Sequence, residues 1–336
     1  MSDLLGALAS IEKLALAHLP TPLEPLPRLT EALQGPRILV KRDDCTGLGL
    51  GGNKTRKLEF LMADARARGA DTVITTGGVQ SNHVRQTAAA ARLGLACELV
   101  LTRVVPWGGP DYELTGNIQL DRLFGARVQL HDAGTDRAAA MEVLAESLRR
   151  AGHRPYQIPT GGSNAVGALG YVAAAAELAA QARAQGLRIA AVVHACSSGG
   201  TQAGLAAGFA ALDPAVKVIG IDVDAHPEAV AAEVRRLASE VWRRLALPGE
   251  FPAEKVILES GYAGEAYGLP TAAMREAVTR TAQLEGLLLD PVYSGKAMAG
   301  LIGLVGAGAF ATDDTVVFLH TGGTPALFPY RQALED

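Results

Sequence analysis

The chain has 336 residues, of which 49% are hydrophobic and 20% are charged, and its formal net charge is −4. This length is enough for a large buried core and for about two domains. Charges of both signs are interspersed, so the sequence shows no basic patch of the kind that binds nucleic acid or a membrane surface. We therefore expect neither of these partners.

Targeting, disulfide and metal signals are missing from the sequence. The amino terminus lacks the basic segment and long apolar core of a secretory signal. The longest apolar run, residues 297–311, is shorter than the roughly 20 residues that span a bilayer, and it predicts a buried helix. Cys45, Cys97 and Cys196 form no C-x-x-C pair, and the histidines show no H-x-x-x-H spacing. We expect no disulfide framework, no metal site and a cytoplasmic location.

Short apolar strands alternate with helices along nearly the whole chain. Helical stretches rich in Ala, Leu, Glu and Arg include residues 135–150 and 165–184. The predicted strands are 38–40, 72–75, 98–101, 127–130, 190–193, 216–221 and 315–319. This alternation predicts an α/β fold with mostly parallel sheets covered on both faces. Ligands of such folds bind beyond the carboxyl ends of the strands.

The first segment of interest, residues 41–57, follows a predicted strand and contains GLGLGGNKTRK at 47–57. It differs from a nucleotide-binding P-loop because Asn53 stands between Gly52 and Lys54. On its own the segment is also compatible with a glycine hinge and a solvated lysine. Basic residues at a helix amino terminus oppose the helix dipole, however, so Lys54 and Arg56 do not serve helix stability. This favours a function for them.

Three further segments place polar residues and glycines directly after predicted strands. In QSNH, residues 80–83, Ser81 can cap the next helix, or the cluster can hold a polar ligand. In HACSSGGTQAG, residues 194–204, successive small residues leave backbone N–H groups free to bind an anion, although a tight loop without ligand is the alternative. Residues 320–327, HTGGTPAL, repeat the arrangement of hydroxyls and glycines.

Together these segments resemble the fold type II pyridoxal-phosphate (PLP) enzymes. Within them they resemble the branch of D-cysteine desulfhydrase, L-cysteate sulfo-lyase and 1-aminocyclopropane-1-carboxylate (ACC) deaminase. The resemblance runs from LPTPL at 19–23 to HTGGTP at 320–325, and GGNKxRKLE at 51–59 with QSNH at 80–83 are its most specific motifs. It implies a tryptophan synthase β-like fold of two open, twisted, mostly parallel sheets flanked by helices. It also implies a large domain of residues 1–52 and 164–336 and a small inserted domain of residues 53–163.

The resemblance also implies roles for individual residues. Lys54 would carry PLP as a Schiff base and act as a base at Cα, and Cys196 would lie nearby without acting as a nucleophile. The catalytic set would be Lys54, Ser81, Tyr267 and Tyr293. Besides Lys54, the cofactor would contact Asn53, Asn82, Ser198, Gly199, Gly200, Thr201 and Thr321, with the phosphate at 198–201, Asn82 at the ring oxygen and Thr321 at the pyridine nitrogen. The substrate would contact Ser81, Asn82, His83 and Ser294.

The implied reaction is elimination from a small sulfur-containing amino acid. L-cysteate would give pyruvate, sulfite and ammonia, and D-cysteine would give pyruvate, sulfide and ammonia. CTGL at 45–48 looks closer to L-cysteate sulfo-lyase. ACC deaminase is the alternative, which Ser294 disfavours because that enzyme has a glutamate there. A PLP-binding protein without turnover is the alternative of another class. The family implies a homodimer.

Overall fold

The computed structural model describes residues 2–107, 109 and 111–335. Within them the chain alternates strands and helices in the order expected of an α/β protein. The strands are β1 (Leu23–Pro25), β2 (Arg37–Arg42), β3 (Thr72–Gly78), β4 (Ala96–Thr102), β5 (Arg127–His131), β6 (Pro155–Ile158), β7 (Ile189–Cys196), β8 (Lys217–Asp222), β9 (Ile257–Glu259) and β10 (Thr315–His320). The α-helices are α1 (Ser2–Ala9), α2 (Pro27–Leu33), α3 (Lys54–Ala67), α4 (Asn82–Ala91), α5 (Asn117–Leu123), α6 (Arg137–Arg150), α7 (Ala165–Ala184), α8 (Gly200–Leu212), α9 (Pro227–Arg244), α10 (Ala272–Glu285) and α11 (Ser294–Gly306).

The described strands form two separate sheets. The larger has the order β1-β2-β10-β7-β8-β9, and only the pairing of β1 with β2 is antiparallel. The smaller has the order β5-β4-β3-β6 and is wholly parallel. Every residue of β3 and of β10 is buried, as expected for central parallel strands covered by helices on both faces. The predicted α/β architecture of two mostly parallel sheets is confirmed.

Each of the seven predicted strands corresponds to an observed strand. The helix predicted at 165–184 has these bounds as α7, and the helix predicted at 135–150 begins at Arg137 because Asp136 caps it. The Asp136 carboxylate accepts hydrogen bonds from two backbone N–H groups of the first turn of α6. The strands that the sequence did not predict, β1, β6 and β9, are three or four residues long.

The two sheets divide the chain as the proposed domains do. All strands of the smaller sheet lie within 53–163, and all strands of the larger sheet lie within 1–52 and 164–336. Helix α3 begins next to this boundary and packs on both sides of it, since Leu58 joins the core of the smaller sheet and Phe60 joins the core around α7, α8 and α9. The domain boundaries themselves stay a prediction.

Two apolar helices pack inside the protein. Among the described helices, α7 is long and apolar enough to cross a membrane, but it packs between α3 and α8 with Leu169, Val172 and Leu178 buried. It is therefore a core helix. The apolar run at 297–311 was predicted to be a buried helix, and it is one in part: α11 ends at Gly306, and its residues 294–301 are all buried.

Candidate active site

A cleft of about 370 Å³ opens between the two sheets. It lies where β3 of the smaller sheet and β7 and β10 of the larger sheet end, so its walls include Gly78, Cys196 and Thr321. The cleft is thus at the carboxyl ends of parallel strands, where open α/β sheets bind ligands. The predicted site residues that line it are Asn53, Lys54, Ser81, Asn82, His83, Ser198, Gly199, Thr201, Tyr267, Tyr293 and Thr321.

Lys54 reaches the cleft from a turn that requires glycine. Gly51 and Gly52 have φ values of +69° and +129°, and a Cβ at Gly51 would lie 1.9 Å from the carbonyl oxygen of Asp44. The Asn53 backbone N–H donates to the carbonyl of Thr321 at 3.0 Å, which joins this turn to the loop after β10. Burial lowers the pKa of Lys54 from 10.5 to about 8, so its amine loses its proton at a much lower pH than that of an exposed lysine.

Lys57 is a site residue that the sequence reasoning missed. It lies one turn after Lys54 on the same face of α3, and its fully buried amine is in hydrogen-bond contact with that of Lys54. Its Nζ also donates to the carbonyl oxygen of Gly161 at 3.0 Å and to Ser163 Oγ at 3.1 Å. Burial and the neighbouring charge of Lys54 lower the pKa of Lys57 well below its usual range. Two buried amines in contact cannot both remain charged at neutral pH.

The loop from Ser198 to Thr201 forms one wall of the cleft and opens α8. Within the described residues, the backbone N–H groups of Ser198 and Gly199 have no hydrogen-bond partner. Thr201 Oγ1 accepts a hydrogen bond from Asn53 Nδ2 at 3.0 Å. These N–H groups and the amino terminus of α8 fit a phosphate group.

Gly200 lies behind this wall and does not line the cleft. Its N–H is 3.2 Å from Ser163 Oγ, and a Cβ at this position would lie 2.8 Å from Lys57 Nζ. Gly200 was predicted to contact the cofactor, and the structure gives it a different role. It makes room for Lys57 and Ser163, and the three residues around it face the cleft.

The amino terminus of α4 forms another part of the cleft wall. Ser81 caps the helix, with its Oγ accepting from the Val84 N–H at 3.3 Å, and it also lines the cleft. The two interpretations of Ser81, as a cap and as a ligand contact, are therefore compatible. Asn82 and His83 follow in the first turn, where free N–H groups and the helix dipole attract an anion such as a carboxylate.

The tautomer of His83 follows from its neighbour. Thr75 uses its single hydroxyl proton in a hydrogen bond to the carbonyl of Ile158 at 2.9 Å, so its oxygen accepts a hydrogen bond from His83 Nε2–H at 2.8 Å. His83 Nδ1 is then an unprotonated acceptor, buried and without a partner among the described residues. Burial and the amines of Lys54 and Lys57 hold the pKa of His83 well below its usual range, so it is neutral.

Tyr267 and Tyr293 are adjacent in the cleft. Their hydroxyls share a hydrogen bond, and their rings meet edge to face with centroids 5.9 Å apart. Burial raises the pKa of both phenols, so both keep their protons at neutral pH. The pair therefore offers a proton donor to a ligand bound in the cleft.

Ser294 does not line the cleft, contrary to the prediction that it contacts substrate. It is fully buried, and its hydroxyl donates to Asp290 Oδ1 at 2.7 Å and accepts from the Asp290 N–H at 2.8 Å. Both functions of the hydroxyl are thus used within the protein. Ser294 fixes the turn that positions the neighbouring Tyr293, whose N–H donates to Asp290 Oδ2.

Charged side chains at the cleft were also missed from sequence. Arg137 begins α6 in the part of the chain that carries the smaller sheet, and Asp224 and Glu265 come from loops of the larger-sheet part. Asp224 accepts a hydrogen bond from Ser197 Oγ at 3.0 Å. These residues are far apart in sequence and belong to no motif, so only the fold shows that they line the same cleft.

The thiol of Cys196 lies in the cleft beside the two lysines. Burial raises its pKa to about 12, so it stays protonated and is no nucleophile. The cleft thus combines a lysine that can be neutral, a loop of unpaired N–H groups and two protonated phenols. These features define an enzyme that binds an aldehyde cofactor through an amine and a phosphate.

Comparison with known proteins agrees with this class. The family model described as pyridoxal-phosphate dependent enzyme matches residues 14–322. A D-cysteine desulfhydrase of Klebsiella pneumoniae subsp. pneumoniae is 47% identical over 328 residues, which cover 97% of this chain and 98% of the relative. One of Salmonella choleraesuis is also 47% identical, with 96% and 98% covered. The chain belongs to the pyridoxal-phosphate-dependent enzyme family.

Solved structures show the same fold. The crystal structure of an ACC deaminase homologue is 36% identical, has a TM-score of 0.91 and covers 99% of this chain, which in turn covers 98% of it. The processed threonine deaminase isoform 2 of Solanum lycopersicum has a TM-score of 0.69 at 19% identity, with 99% and 92% covered, which supports the fold alone. The fold type II prediction and the PLP cofactor are confirmed. Family membership sets aside the alternative of a binding protein without turnover.

Proposed function

We propose that this enzyme is a D-cysteine desulfhydrase, which converts D-cysteine and water to pyruvate, hydrogen sulfide and ammonia. The observation that carries the proposal is the position of Lys54, with its lowered pKa, in a cleft that also contains the Tyr267–Tyr293 pair. The relatives named D-cysteine desulfhydrase, 47% identical over nearly the full length, support the substrate.

The residues present fit the cofactor. Lys54 would hold it covalently, and Ser198, Gly199 and Thr201 would bind its phosphate. Asn53 would act on this loop through its hydrogen bond to Thr201. Asn82 would donate to the ring oxygen, and the Thr321 hydroxyl would face the ring nitrogen. When bound, PLP supplies an electron sink for the electrons released at Cα.

The chain's own residues would move two protons in the elimination. Lys54 Nζ is the base that would take the proton from Cα, because its lowered pKa lets it stand uncharged. The Tyr267–Tyr293 pair would give a proton to the departing sulfur, since both phenols remain protonated. One C–H bond and one C–S bond break, the sulfur leaves as hydrogen sulfide, and water later releases ammonia and pyruvate.

The substrate carboxylate would bind at the amino terminus of α4. The Ser81 hydroxyl and the N–H groups of the first turn are donors for it, and the helix dipole favours an anion there. The neutral His83 adds no charge to this wall and offers Nδ1 as an acceptor.

The charges of the cleft favour cysteine over cysteate. A sulfonate adds a permanent negative charge and three acceptor oxygens, which call for additional donors. Asp224 and Glu265 instead bring two carboxylates to the cleft against the single guanidinium of Arg137. The similarity of CTGL at 45–48 to L-cysteate sulfo-lyase finds no specific support among the relatives, so we place D-cysteine first.

A panel of substrates tests the proposal. Purified protein with PLP should release pyruvate and sulfide from D-cysteine with a kcat/KM at least tenfold above that for L-cysteate, a difference of about 1.4 kcal/mol in transition-state free energy. ACC should give negligible 2-oxobutanoate. A higher kcat/KM for L-cysteate or for ACC would overturn the assignment.

Lys54 variants test the mechanism. Borohydride reduction should fix the cofactor on the peptide that contains Lys54, and Lys54→Ala should abolish turnover while PLP still binds noncovalently. Lys217→Ala, at an exposed position at the start of β8, is the matched control and should keep full activity. A label on Lys57 or Lys296 would disprove the covalent site.

We also propose that the enzyme is a cytoplasmic homodimer that acts on a free amino acid. The support is the family resemblance, together with relatives named as enzymes of amino-acid substrates. The homodimer is tested below.

A further inference from the structure

A buried network of side-chain amides and one guanidinium lies behind Asn82. Asn82 is the member of this network that lines the cleft. Asn82 Oδ1 accepts from Asn117 Nδ2 at 2.9 Å and from Arg85 Nη1 at 3.4 Å. Asn117 Oδ1 accepts from Arg85 Nη1 at 3.0 Å, and Asn117 Nδ2 also donates to the carbonyl of Gln80 at 2.9 Å. Asn117 and Arg85 are both fully buried.

The chemistry of these groups fixes the orientation of each amide. A guanidinium can only donate, so the Asn117 atom that faces Arg85 must be its oxygen. Asn117 Nδ2 then faces the Gln80 carbonyl, which can only accept, and Asn82. The Asn82 atom that meets this donor must therefore be its oxygen. The Asn82 Nδ2 group is left as the donor directed away from the network, on the residue that lines the cleft.

The network is itself anchored at both ends. Arg85 Nη2 donates to the carbonyl of Gly51 at 2.5 Å, in the turn that leads to Lys54. Gln80 Oε1 accepts from the Asn117 N–H at 2.8 Å, which holds the start of α5 against the turn before α4. One guanidinium thus connects the Lys54 turn with the amide that faces the cleft.

Arg85 differs from an arginine that only stabilises the fold. Arg56, equally buried, has ion pairs with the carboxylates of Asp43 and Glu177 at 2.8 Å. Arg85 donates instead to a carbonyl and to two amide oxygens, while the buried carboxylate of Asp121 has no hydrogen-bond partner among the described residues. A charged group placed on amide oxygens orients those amides.

We infer that Asn117 and Arg85 are positioning residues that hold Asn82 with its amide N–H toward the cofactor. The inference rests on the proposed contact of Asn82 with the ring oxygen of PLP. An N–H donor held there would stabilise the ionised form of the ring oxygen. Asn117 and Arg85 would also prevent the Asn82 amide from rotating, which would turn Oδ1 toward the ring oxygen and repel it. Asn117 and Arg85 thus act on PLP through Asn82 without touching it.

The test is Asn117→Asp, which keeps the shape and the acceptor for Arg85 but removes the Nδ2 donor. Asn82 Oδ1 would then meet a carboxylate oxygen, so the amide should rotate and lose its bond to the cofactor. The Kd for PLP should rise at least tenfold, and the visible absorption of bound PLP should shift toward the form with a protonated ring hydroxyl. These readouts need no turnover, so they hold even if D-cysteine is not the substrate.

A double-mutant cycle separates positioning from general damage. In the Asn82→Ala background, Asn117→Asp should change the Kd for PLP less than twofold, because the amide that it orients is gone. Thr87→Val, equally buried on α4 with its hydroxyl bonded to the His83 carbonyl, is the matched control and should leave Kd and spectrum unchanged.

Two outcomes would overturn the inference. One is an unchanged Kd and spectrum in folded Asn117→Asp, and the other is full additivity in the cycle. If Asn117→Asp does not fold, Arg85→Lys replaces it in the same cycle, since a single ammonium cannot reach Gly51 and both amide oxygens together. The same two criteria then decide.

Discussion

At the scale of single residues, the burial of Lys54 governs how the cofactor would be attached. Only an uncharged amine can attack an aldehyde, and Lys54 is the amine that reaches the cleft. Because burial lowers its pKa, the reactive form accumulates at a much lower pH than for an exposed lysine. The hydrogen bond with Lys57 opposes this effect in part, because it favours a proton on Lys54.

We expect the rate of PLP attachment to the apoprotein to rise with pH, with a midpoint near the Lys54 pKa of about 8 and not near 10.5. The sign follows from the lowered pKa, which makes the neutral amine the major form above pH 8. The measurement is the growth of visible absorbance after apoprotein is mixed with excess PLP at a series of pH values. Lys54→Ala should show no such phase, and a midpoint near 10.5 would contradict the assignment.

At the scale of secondary structure elements, α3 is held in place by a buried ion cluster next to the active site. Asp43 accepts two hydrogen bonds from Arg56 on α3, at 2.8 and 2.9 Å, and one from the Tyr171 hydroxyl on α7 at 2.6 Å. Lys41 and Glu177 complete the cluster. The Arg56 guanidinium holds the pKa of Asp43 below its usual range despite burial.

Asp43→Asn should lower the free energy of unfolding by about 3 kcal/mol at pH 7, because it leaves the buried Arg56 with one carboxylate fewer. Asp44→Asn is the matched control. It removes a partly exposed partner of Arg42 and should cost less than about 1 kcal/mol. Urea unfolding measures both. Equal losses in the two variants would contradict the role of the cluster.

The pH dependence of this effect has a definite sign. The lowered pKa means that Asp43 stabilises the fold fully above the ordinary carboxyl pKa, about 3.9, and loses that contribution as the pH falls through the folded value. The difference between Asp43→Asn and the unchanged protein should therefore shrink in acid.

The strands, helices and motifs with local patterns could be predicted from the sequence. The apolar runs of β3, β7 and β10 and the polar segments after them were sufficient to locate the cleft walls. Residues 155–158 were not predicted because a strand of four residues that opens with proline carries little periodicity. Arg137 and Asn117 were missed because their neighbours in space lie far away in sequence.

Ser294 was predicted to contact the substrate but does not line the cleft. The resemblance identified the right segment, but the direction of a side chain in a turn depends on its hydrogen bonds, here those to Asp290. Lys57 could have been found from its i, i+3 spacing with Lys54, which places both amines on one face of α3.

At the scale of the whole molecule, three exposed leucines mark one corner. Leu50, Leu93 and Leu123 are 64%, 62% and 76% exposed. Their segments are close, because Arg92 Nη1 donates to the Phe124 carbonyl at 3.4 Å and a Cβ at Gly49 would touch Ala89 and Phe124. An apolar corner of this kind is typical of a surface that a second protein covers.

We expect a homodimer that uses this corner, with a mass by sedimentation of about twice 34.9 kDa. Leu123→Arg should shift the equilibrium toward monomer at least tenfold, because a guanidinium would have to be buried without a partner. Val143→Arg, at a position 65% exposed on α6, is the control and should leave the dimer intact. A monomeric protein, or an equal effect of both variants, would contradict the proposal.

The position of β10 between β2 and β7 has a consequence for biosynthesis. A ribosome makes β2 early and β10 about 270 residues later, so the larger sheet stays without a central strand for most of translation. The strands of the smaller sheet are contiguous within 72–158 and have all their partners much sooner. Thr321, which accepts the Asn53 N–H beside Lys54, arrives with β10. The nascent chain therefore acquires a complete cofactor site only after all strands of both sheets have been made.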